Sequence, residues 1–385
     1  TVLSVDAIGD QAEQHFGFRP CMPQLLSAWH QLQGKTVFTI ARTGFGKTLT
    51  FWTTLLAHTK TKSNGILLIV TPLNILGDKN AREAMERLGL SGINVTGDEA
   101  KPEVFKNIAE LHYQVIVASP ELLVEHEGFR ALFSNTEFTS CLINVTFDEA
   151  HCIILWSGKD FRPQYKQTHK LRWYIPDKVP YHFVSATLPR NIQDEIMQLF
   201  NLQKGDEVVE VRLSNDRPNI HLQVVEMKHS QTQKRDLKRV LRLDGDDRPP
   251  KFMVFCNKRK ETEDIVKRMW EDLAPQYREK IVWFHSGMSD EFQESRMQML
   301  TEGKIWGIVC TDAAGMGLDV PDIELVVQWG YIDSLCTLAQ RLGRGGRSLL
   351  CEARGVYLVE SQYFDATKAA KAERARKREE AKAQK

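Results

Sequence analysis

The chain has 385 residues, and its 51 lysine and arginine residues nearly balance 50 aspartate and glutamate residues, for a formal net charge of +1. This length predicts two or three domains, each large enough for its own core. A hydrophobic fraction of 42% and a charged fraction of 26% exclude wholesale disorder, and no apolar run approaches the length of a membrane span. Seven cysteines without a C-x-x-C pair indicate reduced thiols in an intracellular compartment and predict no structural zinc.

Short apolar runs separated by amphipathic helical stretches recur along the first half of the chain. Runs buried on both faces and separated by helices are typical of a parallel sheet that helices cover. Each run is therefore predicted to be a buried strand. The five strands are residues Val37 to Ile40, Gly65 to Val70, Gln114 to Ala118, Leu142 to Phe147 and His182 to Ser185.

The pattern stops at the turn-prone cluster 215–219 and then begins again. We therefore predict two α/β domains, residues 1–212 and 213–362, each a mainly parallel sheet with helices on both faces, with a crevice between them. Residues 363–385 are rich in Ala, Lys, Arg and Glu and are predicted to be a charged helical tail or linker, with a nuclear-localisation or phosphate-binding role as the alternative. The second set of strands is Lys251 to Cys256, Ile281 to His285, Trp306 to Thr311, Leu325 to Trp329 and Gly355 to Val359.

The first predicted strand leads into a segment that has the form of a phosphate-binding loop, Ala41-Arg42-Thr43-Gly44-Phe45-Gly46-Lys47-Thr48, although the general pattern begins with Gly rather than Ala. The two glycines allow backbone N–H groups to surround phosphate oxygens. The lysine places a charge on the β- and γ-phosphates, and the last hydroxyl is suited to Mg²⁺. We therefore predict that ATP and Mg²⁺ bind here, with contacts from Thr43, Gly44, Gly46, Lys47 and Thr48.

Two adjacent carboxylates, Asp148 and Glu149, follow the strand that ends at Phe147. Open α/β sheets bind their ligands at this carboxyl edge. Asp148 is predicted to hold Mg²⁺ through water, and Glu149 to orient and deprotonate the attacking water. His151 lies on the next turn, where it either reports the nucleotide state outward or simply packs.

The segment after these carboxylates carries a resemblance to a known family. Asp148-Glu149-Ala150-His151-Cys152, Trp156, Asp160-Phe161-Arg162-Pro163 and Tyr165 resemble the RecQ family of DNA helicases, within superfamily 2, with one extra residue before Asp160 and Leu155 in place of Gln. In that family the segment is an aromatic-rich loop that couples single-stranded DNA binding to ATP hydrolysis. Its aromatic and cationic residues also suit base stacking, worth about 1–3 kcal/mol per base, with core packing as the alternative. The predicted nucleic-acid contacts are Trp156, Phe161, Arg162 and Tyr165.

The resemblance extends over roughly residues 16 to 360 and implies two RecA-like domains with the ATP cleft between them. Gln24 precedes Lys47 by the spacing of the adenine-reading glutamine in these helicases, and an amide can both donate to adenine and accept from it. Asp319 is implied to face the nucleotide. The further nucleic-acid contacts that the resemblance implies are Thr71, Pro72, Asn257, His285 and Thr311.

Three arginines occur close together in the segment Gln340-Arg341-Leu342-Gly343-Arg344-Gly345-Gly346-Arg347. Their spacing predicts that Arg344 and Arg347 lie on one side of a helical turn, where both can reach one γ-phosphate. Arginine fingers contribute about 10³–10⁵ in rate. We assign catalytic roles to Gln340, Arg344 and Arg347 together with Lys47, Asp148 and Glu149, and a solvated basic face is the alternative.

The leading hypothesis is an ATP-dependent DNA helicase or translocase core of RecQ type, acting on single-stranded and branched DNA. The resemblance implies 3′→5′ movement and an intracellular location, nuclear in a eukaryote. The motifs that contain Arg341 and Asp312 are closer to those of DEAD-box RNA helicases, so an RNA-dependent ATPase is the first alternative. A non-catalytic module that uses nucleotide as a switch is the second. The sequence shows no zinc module or winged helix of the kind common in RecQ proteins, so we expect a motor core with weak unwinding.

Overall fold

The computed structural model describes residues 3–61, 65–157, 162–176, 178–203, 205–243, 248–312, 320–348 and 351–383. Internal contacts divide the chain into two compact units, residues 1–216 and 217–385. Each unit is built on one parallel sheet with helices on both faces. None of the helices in the described ranges is long and apolar enough to cross a membrane.

The sheet of the first unit has seven strands: β1 Thr36–Ile40, β2 Ile66–Val70, β3 Gly92–Val95, β4 Val115–Ala118, β5 Leu142–Phe147, β6 Tyr181–Ser185 and β7 Val208–Arg212. Their order is β3-β4-β2-β5-β6-β1-β7, and every pair is parallel. All five strands predicted in this half are confirmed. β3 and β7 are additional strands at the two edges, where partial exposure leaves no continuous apolar run to indicate them.

Helices cover both faces of this sheet, so alternate residues of one strand belong to different cores. Phe183 of β6 packs in the core with Phe38 and Phe147, whereas its neighbour Val184 packs in the core with Trp52. The helices are α1 Val5–Phe16, α2 Met22–Leu32, α3 Leu49–Thr61, α4 Asn74–Leu88, α5 Pro102–Ala109, α6 Pro120–Glu125, α7 Glu127–Ser134, α8 Thr136–Cys141, α9 Cys152–Leu155, α10 Gln164–Gln167, α11 Leu171–Tyr174 and α12 Arg190–Leu199.

The sheet of the second unit has six parallel strands: β8 Ile220–Glu226, β9 Phe252–Phe255, β10 Ile281–Phe284, β11 Gly307–Cys310, β12 Leu325–Trp329 and β13 Ala353–Val359. Their order is β10-β11-β9-β12-β13-β8. The five predicted strands are confirmed, and β8 is an additional edge strand that exposes Leu222 and Val224. The helices are α13 Asp236–Leu241, α14 Arg259–Asp272, α15 Asp290–Thr301, α16 Leu335–Leu342 and α17 Asp365–Ala383.

Candidate nucleotide and nucleic-acid site

The predicted phosphate loop joins β1 to α3 at the carboxyl edge of the first sheet. Gly44 and Gly46 have φ of 78° and 82°, in the left-handed region that favours glycine. A Cβ on Gly46 would lie 3.1 Å from Nε2 of Gln24. The Nζ atom of Lys47 donates to the carbonyl of Arg42 at 3.4 Å. The loop leads directly into α3, and the N–H groups of the first helical residues, Leu49 to Phe51, donate to the carbonyls of Gly46, Lys47 and Thr48.

Gln24 is buried in the first turn of α2, and its amide holds the phosphate loop. Its Oε1 accepts from the N–H of Cys21 at 2.9 Å, and its Nε2 donates to the carbonyls of Phe45 and Gly46 at 3.1 and 3.2 Å. Sequence reasoning missed this bond to the loop, because it assigned the amide only to adenine. The adenine contact itself stays a prediction.

Asp148 and Glu149 begin the turn after β5, and the N–H of Asp148 donates to the carbonyl of Val70 at 3.0 Å. Burial and the neighbouring Glu149 raise the pKa of the Asp148 carboxyl to about 7, although Lys47 and Lys79 act to lower this pKa. A buried carboxylate whose charge is costly gains from a nearby divalent cation, and oxygen is the ligand that Mg²⁺ prefers. The chemistry of Asp148 therefore fits the predicted role as a magnesium ligand.

His151 connects this turn to the carboxyl end of β6. Its Nδ1 lies 2.9 Å from Oγ of Ser185 and 3.4 Å from Oε2 of Glu149. The same hydroxyl oxygen accepts from the N–H of Thr187 at 3.0 Å. Burial lowers the pKa of His151, so the imidazole is neutral near pH 7. His151 thus hydrogen-bonds to the Ser185-Ala186-Thr187 turn and lies beside the Glu149 carboxylate.

The aromatic residues after the carboxylates differ in their surroundings. Tyr165 is buried in the core of the first unit with its ring perpendicular to that of Trp156, so the prediction that it stacks on a base is wrong. Its apolar ring is more stable in this core than in water. Trp156 is partly buried against the same core. Phe161 lies outside the described residues.

Arg162 is held by two elements of the first unit. Its Nε and Nη2 donate to the carboxylate of Glu121 at 2.5 and 2.6 Å, and its Nη1 donates to the carbonyl of Pro72. The guanidinium also lies 5.8 Å from the ring centre of Trp156. The structure therefore brings together Arg162, Trp156 and Pro72, which were all predicted to contact nucleic acid. Thr71, beside Pro72, is buried.

In the second unit, the buried side chain of Arg341 organises the predicted site. Its Nε and Nη2 donate to the two carboxylate oxygens of Asp312 at 2.8 Å each. Its Nη1 donates to Oδ1 of Asn257 at 2.8 Å and to Oε1 of Gln328 at 2.7 Å. The two departures from RecQ wording therefore form one bidentate ion pair. The presence of both Asp312 and Arg341 in one sequence could have indicated this ion pair, but the two residues were considered separately.

The remaining predicted residues of the second unit lie around this ion pair and beyond it. Thr311 immediately precedes Asp312, and Gln340 lies in the last turns of α16. The imidazole of His285 is largely buried, with Nδ1 accepting from the N–H of Gly287 at 3.1 Å and Nε2 lying 3.4 Å from Glu263. Asp319 lies outside the described residues.

The predicted shared helical turn for Arg344 and Arg347 is wrong. α16 ends at Leu342, and both arginines lie in the irregular segment that follows. Glycine disfavours helix continuation, and the three glycines of this segment include Gly346 at a φ of 52°. Arg344 is buried and Arg347 is half-buried.

All seven cysteines are free thiols. In the part of the chain that the structure describes, no group of three or more His, Cys, Asp and Glu side chains has the arrangement of a metal site.

Two families match most of the chain. The DEAD/DEAH box helicase family matches residues 22–195, and the helicase conserved C-terminal domain family matches residues 232–348. The chain therefore belongs to the helicases that combine these two domains.

Among curated proteins, the resemblance to RecQ helicases is confirmed. The chain is 25% identical to the helicase SGS1 of Saccharomyces cerevisiae and 25% identical to RecQ of Haemophilus influenzae, over 86% of its length in each case. It is also 27% identical, over 86% of its length, to a protein of Acanthamoeba polyphaga mimivirus that is named as an ATP-dependent RNA helicase. The matched parts are 22%, 49% and 56% of these three relatives.

Solved structures show the same fold. The helicase Mss116p, bound to single-stranded RNA and AMP-PNP, superposes with a TM-score of 0.73 at 18% identity, covering 94% of this chain and 76% of that one. The helicase MrfA, bound to DNA and AMPPNP, superposes with a TM-score of 0.68 at 18% identity, covering 92% and 50%. The two sheets thus correspond to the two RecA-like domains of superfamily 2 helicases.

Proposed function

We propose that this chain is the motor core of a RecQ-type DNA helicase or translocase, which couples ATP hydrolysis to 3′→5′ movement on single-stranded DNA. The observation that carries the proposal is the arrangement at the carboxyl edge of the first sheet. There the charge of Lys47 opposes the burial that raises the pKa of the Asp148 carboxyl, and His151 lies 3.4 Å from Glu149 and 2.9 Å from Ser185. This is the set of groups that phosphoryl transfer to water requires.

Each group has a distinct role in the proposal. Lys47 neutralises the β- and γ-phosphates, while the backbone of Thr43, Gly44 and Gly46 surrounds their oxygens. Magnesium held by Thr48 and Asp148 would neutralise charge on the transferred phosphoryl group. Glu149 takes the proton of the attacking water. Gln24 and Asp319 orient the nucleotide, and Gln340, Arg344 and Arg347 stabilise the charge of the transition state.

The nucleic-acid contacts are proposed for two groups of residues. In the first unit, the ring of Trp156 stacks on a base, while Arg162 joins it to the segment of Thr71 and Pro72. In the second unit, the proposed contacts are Asn257, His285 and Thr311. Phe161 remains part of the proposal on the strength of the resemblance alone.

A DEAD-box type of RNA-dependent ATPase is the second candidate, and the relative named as an RNA helicase favours it. The residues that first suggested it, Arg341 and Asp312, support it less strongly. Arg341 is buried and its guanidinium is bound to side chains of its own unit, so it does not present a surface to RNA. For this reason we favour DNA.

An ATPase titration with single-stranded DNA, duplex DNA and RNA tests the proposal. We expect the largest stimulation by single-stranded DNA, and a steep loss of binding with added salt because phosphate contacts release counterions. Branched DNA is expected to bind, and strand separation by this chain alone is expected to be weak. Stimulation by RNA that equals or exceeds that by DNA would support the RNA-dependent ATPase instead.

Lys47→Ala and the exposed Lys106→Ala form a matched pair of variants. We expect Lys47→Ala to lose ATP hydrolysis and Lys106→Ala to retain it. Hydrolysis by Lys47→Ala at the wild-type rate would contradict the site. If the wild-type protein binds ATP but does not hydrolyse it in the presence of any of the nucleic acids, the non-catalytic module that uses nucleotide as a switch would be supported instead.

A further inference from the structure

The carbonyls of the segment after α16 converge on one side chain from a distant part of the sequence. Arg217 donates from Nη1 to the carbonyl of Gly343 at 3.3 Å. From Nη2 it donates to the carbonyls of Gly345 at 3.1 Å and Gly346 at 2.5 Å. Arg217 is the first residue of the second unit and belongs to the turn-prone cluster 215–219. Nothing in its sequence neighbourhood indicates this bonding.

Asn219 adds to this arrangement from the same turn. Its Oδ1 lies 3.4 Å from Nε of Arg217, and its Nδ2 donates to the carbonyl of Gly346 at 2.7 Å and to that of Cys351 at 2.9 Å. The carbonyl of Gly346 therefore accepts from both side chains. Arg217 and Asn219 together hold the backbone on both sides of Arg344 and immediately before Arg347.

The bonding has a physical reason at each end. The carbonyls of Gly343, Gly345 and Gly346 lie at and beyond the end of α16, where the regular helical bonding has stopped, so donors from outside the helix are needed to satisfy them. The rigid planar fork of a guanidinium can satisfy several such carbonyls at once, which a lysine ammonium does with less order. Gly346 adopts a φ of 52°, and a Cβ there would lie 2.7 Å from Nδ2 of Asn219. The close approach of Asn219 to Gly346 therefore depends on glycine at position 346 and on its left-handed backbone.

We propose that Arg217 is a positioning residue for the catalytic arginines. By holding the carbonyls of Gly343, Gly345 and Gly346, it maintains the backbone conformation from which Arg344 and Arg347 stabilise the transition state. The proposal rests on the proposed function, because it assumes that these arginines act in ATP hydrolysis. In this proposal Arg217 acts through the backbone of the segment and not on ATP or nucleic acid directly.

The kinetic parameters of Arg217→Ala test this role. We expect kcat of the DNA-stimulated ATPase to fall by about 10- to 100-fold, since a small misplacement of catalytic groups has effects of this size. KM for ATP should change less than about twofold, because the arginines are proposed to act on the transition state. Arg217→Lys should retain an intermediate kcat. The exposed Arg239→Ala, on α13 of the same unit, is the control and should match the wild type.

A double variant separates positioning from general destabilisation. If Arg217 acts through Arg344 and Arg347, Arg217→Ala should slow ATP hydrolysis by a smaller factor in the Arg344→Ala background than in the wild type, since residues that act as a unit are not additive. Thermal melts of each variant show whether the fold is retained. Where Arg217→Ala does not fold, the same comparison is made with Arg217→Lys.

Three results would overturn the inference. The first is a wild-type kcat for a folded Arg217→Ala when Arg344→Ala is impaired. The second is multiplication of the two single effects in the double variant. Both leave the proposed function intact. The third is wild-type hydrolysis by Arg344→Ala, which contradicts the proposed function of the arginines and removes the basis of the inference with it.

Discussion

At the scale of single residues, the chemistry depends on a few side chains whose surroundings differ sharply. Asp148 is half-buried beside another carboxylate. Desolvation and this carboxylate raise the pKa of the Asp148 carboxyl to about 7, and the neighbouring Glu149 adopts a φ of 51°. Left-handed backbone is uncommon for residues other than glycine and costs energy. The backbone of this turn therefore adopts an uncommon conformation that places the two carboxylates. The sequence indicated the role of the carboxylates, but it did not indicate the conformation of the turn.

Glu149→Gln tests the proposed general base. The amide keeps the shape of the side chain but cannot take a proton, so we expect ATP binding to remain and hydrolysis to fall by about 10²- to 10⁴-fold. Nucleotide titration and single-turnover hydrolysis measure the two steps. The exposed Glu86→Gln on α4 is the control. A variant that binds ATP and hydrolyses it normally would exclude Glu149 as the base.

Gly46→Ala tests the conformation of the phosphate loop. At a φ of 82° an alanine is strained, and its Cβ would lie 3.1 Å from the Gln24 amide. We expect nucleotide affinity to fall, because the loop and Gln24 have to move apart. Gly97→Ala is the matched control, since a Cβ at Gly97 meets no atom within 4 Å. Equal ATP affinity for both variants would contradict the assignment of Gly46.

At the scale of elements, a closed ring of buried polar side chains joins α2 to three neighbouring strands. Hydrogen bonds run from Ser27 to Thr39, to His182, to Thr146, to Asn144, to Gln31 and back to Ser27. Their heavy-atom distances range from 2.6 to 3.5 Å. Asn144 and Thr146 lie on the same face of β5, which leads to Asp148. The ring therefore links the helix of Gln24 to the strands that carry the phosphate loop and the carboxylates.

His182 in this ring predicts a dependence of stability on pH. Burial lowers the pKa of His182 from 6.5 to about 3, so the folded protein keeps the imidazole neutral while the unfolded chain binds a proton below pH 6.5. The stabilisation is complete above pH 6.5 and is lost as the pH falls towards 3, with a slope of up to about 1.4 kcal/mol per pH unit.

Denaturant unfolding of His182→Gln and the wild type from pH 7 to pH 5 measures this contribution. We expect the free energy of unfolding of the variant to be lower at pH 7 and to change less with pH. His112→Gln is the control, because His112 is exposed and lies on the surface of the first unit. A variant with the same slope as the wild type would contradict the assignment to His182.

Elements also differ in how well a pattern predicts them. Nine of the ten predicted strands lie inside the sheets, where burial on both faces gives apolar runs. The tenth, β10, lies at an edge but has three of its four positions buried. β3, β7 and β8 lie at sheet edges, where partly exposed positions interrupt the run. The helix expected to carry Arg344 and Arg347 ends earlier, because glycines disfavour its continuation.

At the scale of the whole molecule, the chain is two units with separate sheets and cores. The backbone bonding of the first sheet continues to Leu213, whose N–H donates to the carbonyl of Ile40 at 2.8 Å. All described contacts of Gln24, the phosphate loop and Asp148 given above lie within the first unit. The near-zero net charge averages over half-buried carboxylates in the first unit and an arginine-rich segment in the second.

A fragment of residues 1–216 tests this division. We expect it to unfold cooperatively and to bind ATP, because it retains the whole first sheet and the phosphate loop. Hydrolysis should not be stimulated by DNA, since Arg344 and Arg347 are absent. A shorter fragment, residues 1–206, lacks β7 and should be less stable, because β1 loses one of its two neighbouring strands. Circular dichroism melts and nucleotide titration give both results, and stimulated hydrolysis by residues 1–216 would contradict the role of the arginines.

The two-domain α/β architecture, the phosphate loop, the paired carboxylates and the helicase resemblance could be predicted from sequence, because each depends on residues close together in the chain. Three features required the folded chain: Tyr165 belongs to a core, Arg341 pairs with Asp312, and Arg217 holds the segment of Arg344. Arg341 and Asp312 are 29 residues apart in the chain, and Arg217 and Gly345 are 128 residues apart. Hydrogen bonds between groups so far apart in the chain follow from how strands and loops are brought together, and no local pattern specifies them.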